Sequence, residues 1–221
     1  MPSLIIHCAD IGSVAKGNFG WARFDCAEQP TCTIGQDIRA FAATIATDLN
    51  SGHPVALGFE CPLFIPVPDD PARLTSARDG EGNRAWSAGA GAGSLATGLS
   101  ETVWILTQVR QQLTSQAPVH FRWSPFQQSG VGLFVWEAFV SGDAKSDTHH
   151  GDAEFAVNQF FTSLPNPESY NAITCGNARS LIGAAVLQSG LSGDLTLLHQ
   201  QCLVIRVADS IQCVQQNRAE Q

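Results

Sequence analysis

The sequence predicts an α/β domain in which a three-strand meander runs into alternating helices and parallel strands, giving a mixed sheet flanked by helices. Three observations carry this expectation. Short apolar runs, rich in β-branched residues, recur at LIIHCAD (4–10), HPVALGFE (53–60) and GLFVWEAF (132–139). After the first run, a Gly-rich turn leads to GNFGWARFD (17–25) and then TCTIG (31–35), the spacing of an antiparallel meander. Segments of helical periodicity separate the later runs, as in strand–helix–strand units.

The elements follow in order. The opening MPSLIIHCADIGS lacks a basic n-region and its apolar run is too short for a signal peptide, so it reads as a buried first strand. From Gln36 to Asn50, Ile38, Phe41, Ala42, Ile45 and Leu49 recur at spacings of three and four, one apolar helical face ended by Gly52. Residues 62–98 change character: prolines 62, 66, 68 and 71, then arginines 73, 78 and 84, then SAGAGAG. This reads as one long inserted loop, a length that usually signals function. Ser100 is placed to cap a helix running to about Leu113. After strand 132–139, Asp152 opens a helix carrying Phe155, Phe160 and Phe161, stopped by Pro165 and Pro167. A further helix spans about 178–188, and CLVIRV (202–207) adds a late strand whose edge, if exposed, offers a route to a homodimer. There is no internal repeat and no linker, so a single domain over 1–221 is expected.

Composition narrows the function. Hydrophobic residues make up 44% and charged ones 14%, too apolar for disorder, while no stretch approaches the ~20 apolar residues of a spanning helix. Seven scattered cysteines without a C-x-x-C pair argue against structural zinc and for reduced thiols, hence a cytoplasmic protein. A net charge of −8 argues against a general nucleic-acid binder, which needs a basic face. The phosphate loop G-x-x-x-x-G-K-[ST] and the hydrolase elbow G-x-S-x-G are absent.

What remains is acidic. Three strands finish in, or one residue past, a carboxylate: Asp10, Glu60 and Glu137, with Asp152 opening the helix after the last of them. Ligands of open α/β sheets gather outside the strand ends. If the first, fourth and fifth strands are adjacent and parallel, these acids converge. Converging carboxylates repel, and divalent cations offset that repulsion. Two ions ~3.5–4 Å apart would stabilise attacking and leaving oxygens in phosphoryl transfer.

This order of acids, with the phrases ADIGSVAKGNFGWA, GFECPLFIP and VWEAFV, resembles the ribonuclease-H-like superfamily, and within it the predicted-nuclease family known as domain of unknown function 429. Glu60-Cys61-Pro62-Leu63 fits that family's acid-x-Pro-Leu motif, with Glu where Asp is commoner. The likeness covers roughly 1–65 and 130–190. It implies a metal-dependent nuclease or phosphodiesterase that binds Mg2+ or Mn2+ through Asp10, Glu60, Glu137 and Asp152, with Asp10 central. A nucleic acid or nucleotide would be the substrate. Neither Asp37 nor Asp48 sits convincingly where classical ribonucleases H draw an acid from the first helix, and the basic handle that grips a hybrid duplex is not visible.

Each residue also has a plainer reading. Asp10 could form a turn with Ile11–Ser13, Glu137 could pair with an arginine, and Asp152 could simply cap its helix. Arg73 and Arg84 read as phosphate holders with Trp86 beside them, or as a surface loop. His149 and His150 read as ligands or proton carriers, or as solvated loop. Cys61 lacks a basic partner nearby in sequence. A second function therefore stays open: a non-catalytic domain of the same fold that binds a small anionic ligand or a partner protein.

Overall fold

The computed structural model describes residues 2–140 and 146–207. The first strand, β1 (Ile5–Asp10), is buried along its whole length. A short 3-10 turn at Val14–Lys16 reverses the chain into β2 (Gly20–Asp25), and β3 (Thr31–Gly35) completes the expected antiparallel meander. Helix α1 (Ile38–Asn50) follows, capped by Asp37, whose carboxylate accepts from the N–H groups of Arg39 and Ala40. It returns the chain to β4 (Val55–Glu60), parallel to β1.

The segment read from sequence as one long loop contains regular structure. It holds β5 (Phe64–Pro66) and a 3-10 turn at Pro71–Arg73, and its Gly/Ala stretch is already helix, since α2 runs over Gly89–Gln112. Ser100 therefore lies within the helix, its hydroxyl bonded to the Thr97 carbonyl, and caps nothing. Small residues give α2 close approach: a Cβ on Gly98 would lie 2.5 Å from the Cys61 sulfur. Tertiary contact outweighs the weak helix propensity of glycine there.

β6 (Val119–His120), α3 (Trp123–Ser129) and β7 (Leu133–Val140) come next, then α4 (His149–Thr162). The expectation that Asp152 opens that helix is corrected: Thr148 is the cap, accepting from Gly151, and Asp152 lies within the first turn. β8 (Ala178–Ser180) pairs with β5, Ser180 caps α5 (Leu181–Ser189), and β9 (Leu203–Val207) is the late strand.

The main sheet has the order β3-β2-β1-β4-β7-β6, with β9 also on β7. β1, β4, β7, β6 and β9 are parallel, so the chain is α/β with a mixed sheet. One face carries α1, α2 and α5, where Phe41, Ile45, Ile105, Leu106 and Val186 pack on Ile5, Leu57, Phe59 and Val135. The other carries α3 and α4, where Trp123, Phe126, Val157 and Phe160 pack on Ile6, Cys8, Ala56, Phe134 and Trp136. Beside β9, Ala172 donates to the Val204 carbonyl and the Asn171 side chain accepts from the Val204 N–H. Among the described residues no helix is long and apolar enough to cross a membrane.

Candidate functional site

The strand ladder decides which acids meet. Asp10 of β1 pairs in register with Glu60 of β4. Side chains alternate along a strand, so both share the face of Ile6, Cys8 and Ala56, the face covered by α4. Asp152, buried in the first turn of α4, comes down on them from above. One carboxylate oxygen from each of Asp10, Glu60 and Asp152 lies within 4.8 Å of the others.

Glycine sets the approach of that helix. Gly20 is the ladder partner of Asp10, and a Cβ there would lie 2.3 Å from the backbone nitrogen of His150. Without a side chain at 20, the start of α4 settles on the strand ends. His149 then donates from Nδ1 to Asp10 Oδ2, and the Ser146 N–H donates to Asp152 Oδ1. His150 instead reaches the Gln36 amide at 3.3 Å.

Glu137 does not join this group. It is opposite Phe59, one position short of Glu60, so it points to the other face of the sheet with Leu133 and Val135. There Arg78 grips it with two bonds, Nη1 to Oε2 at 2.8 Å and Nη2 to Oε1 at 2.6 Å, and the Leu63 N–H donates to Oε2 at 2.9 Å. Arg78 Nε also holds Glu81 at 2.8 Å, and its guanidinium lies 4.6 Å from the centre of the Phe64 ring. All three charged groups are buried. The arginine reading of Glu137 describes this geometry, and Arg78, which tied the 62–98 segment to no particular acid in the sequence, is its partner.

A cavity of about 450 Å3 opens beside Asp10 and Glu60. Asp10, Glu60, Glu137 and His149 line it, together with Glu81, Asn83, Arg84, Trp86 and the first turn of α2. Arg84 and Trp86, read from the sequence as a phosphate holder and its neighbour, both line this cavity. Trp86 is held by its ring N–H on the Ser76 carbonyl at 3.0 Å. Arg73 does not reach the cavity: it closes the exposed turn 71–73.

Sequence reasoning missed Glu101. It stands on α2, and its carboxylate accepts from the Gly12 N–H just past β1. Burial, assisted by the charge of Asp10, pushes its pKa up to about 7. Cys61 also faces the cavity, but burial and then the charge of Glu137 push its thiol well up, away from a reactive thiolate. Cys8, Cys26, Cys32, Cys61, Cys175 and Cys202 are free thiols, and Cys213 lies outside the described residues.

The carboxylate oxygens of Asp10, Glu60 and Asp152 form a donor set of the kind that could hold a metal ion. Compared with protein-family models, with curated proteins and with solved structures, the chain finds no match in any of the three.

Proposed function

We propose that the chain is a Mg2+- or Mn2+-dependent phosphodiesterase, related to nucleases of the ribonuclease-H-like type. The observation that carries this reading is the meeting of Asp10, Glu60 and Asp152, drawn from β1, β4 and α4, at the carboxyl ends of parallel strands. The strand order 3-2-1-4, with the next long strand parallel beyond it, supports the kinship that the sequence phrases suggest.

Asp10, Glu60 and Asp152 would hold the cation, and when bound it would supply positive charge to a phosphoryl oxygen. The remaining work falls to the chain. His149 orients Asp10 through its Nδ1 bond. The Ser146 N–H fixes Asp152. Arg84 lines the cavity, where a phosphate oxygen would meet a fork of donors. Glu137, committed to Arg78, has no part in holding the ion, so one cation per chain is expected where the sequence alone suggested two.

Calorimetric titration with Mn2+ tests this. The expected result is one ion per chain, with binding abolished in Asp10→Asn, together with hydrolysis of a labelled phosphodiester that Asp10→Asn removes. Failure to bind Mn2+ near neutral pH rejects the reading. The His149–Asp10 pair favours one alternative, in which the imidazole supplies the balancing charge and the fold holds a small anionic ligand without catalysis. That alternative gains if anions bind while Mn2+ does not.

A further inference from the structure

We infer that the occupant of the cavity is a small phosphate ester, about the size of one nucleotide, and not a nucleic-acid strand. This rests on the cation-dependent reading above and adds the class of substrate to it.

Size is the first argument. The space beside Asp10 and Glu60 measures about 450 Å3, within the range of roughly 300–1,000 Å3 typical of small-molecule sites. It is lined both by the strand ends and by the segment carrying Arg84 and Trp86.

Charge is the second. A bound strand is gripped at several phosphates, each wanting a lysine or arginine. Among the described residues that line the cavity, Arg84 is the one arginine and there is no lysine. Other arginines near this edge are committed elsewhere. Arg78 is locked between Glu137 and Glu81. Arg206 donates to the Gly80 carbonyl and lies 4.6 Å from the centre of the Phe139 ring. With a net charge of −8, the chain as a whole repels a polyanion. One guanidinium matches one phosphate.

The third is the rest of the wall. Ile11, Pro62, Trp86, Ala138 and Phe139 offer apolar surface for the part of the ester that carries no charge. A duplex held by its backbone would leave that surface uncovered.

The test uses the full chain with Mn2+. Thymidine 5′-monophosphate binding is followed by calorimetry, and turnover of thymidine 5′-(p-nitrophenyl phosphate) is compared with that of labelled single-stranded, duplex and hybrid oligonucleotides. The small ester should be cleaved roughly tenfold faster or more per phosphodiester. Arg84→Ser, at an exposed position, should weaken monophosphate binding by roughly tenfold while leaving Mn2+ affinity unchanged. Faster cleavage of the oligonucleotides would overturn the inference and leave the phosphodiesterase reading standing. So would Mn2+ binding with no recognition of either small probe. Absence of Mn2+ binding would instead remove the phosphodiesterase reading, and this inference with it.

Discussion

Glu101 brings a further carboxyl to the edge that already holds Asp10, and its surroundings keep it from adding a full charge there. Burial raises its pKa from the ordinary 4.5 to about 7, Asp10 adds to the rise, and the Gly12 N–H only partly opposes it. In the cation-free chain, carboxyl 13C resonances followed over pH should show one group with a midpoint near 7, absent in Glu101→Gln. A spectrum in which every glutamate titrates near 4.5 would refute that environment. Nothing in the sequence marks Glu101, because its neighbours are Gly12 and Asp10, about ninety positions away, and only the packing of α2 brings them together. Asp10 and Glu60 were legible for the opposite reason: each ends a recognisable strand. Asp152 was legible as an acid near a helix start, although the cap is Thr148 and the carboxylate turns inward.

Elements explain why Glu137 is displaced from the other acids. β4 and β7 are buried on both faces, so their side chains are apolar on both, and the alternation that reveals a strand's faces is missing. The sequence therefore locates Glu60 and Glu137 at strand ends without showing that a one-residue offset sends them to opposite sides. Ladder register supplies that, and it arises from contacts between distant segments. The start of α2 was hidden similarly, since alternating Gly and Ala suits both a loop and a helix pressed against a neighbour. Between these elements, Arg78 fastens the segment after β5 to β7 by its bonds to Glu137, Glu81 and the Phe64 carbonyl. Removing one partner from a buried ion pair strands the others without compensation. Arg78→Met should accordingly lower the free energy of unfolding in urea by about 3–5 kcal/mol. A loss below about 1 kcal/mol, the scale of a surface pair, would show that the segment is fastened by something else.

For the molecule as a whole, the α/β class and the parallel placement of the first, fourth and later long strands were readable from the alternation of elements, and stability against acid is where one buried polar group speaks for the entire fold. Asp48 of α1 links three elements: it accepts from His7 of β1 at 2.8 Å and from Arg23 of β2 at 2.9 Å and 2.8 Å. Burial works to raise its pKa, but the bonds from His7 and Arg23, with the charge of Arg23, overcome that and hold it down to about 2 against an ordinary 3.8. Burial likewise pushes His7 down, opposed by its bond to Asp48. A carboxylate whose folded pKa is depressed contributes its full stability above the unfolded value, and that contribution drains away as pH falls from about 4 through about 2. The difference between 3.8 and about 2 corresponds to about 2 kcal/mol. Glu101 acts in the other direction, its raised pKa removing stability as pH climbs from 4.5 toward 7, so total stability mixes the two. Comparing wild type with Asp48→Asn separates them, because Glu101 is common to both chains. The gap in unfolding free energy should narrow by about 2 kcal/mol as pH falls from about 4 to about 2. If the gap stays the same at every pH, the carboxylate of Asp48 contributes through packing alone, and the charge linking α1 to the meander counts for nothing.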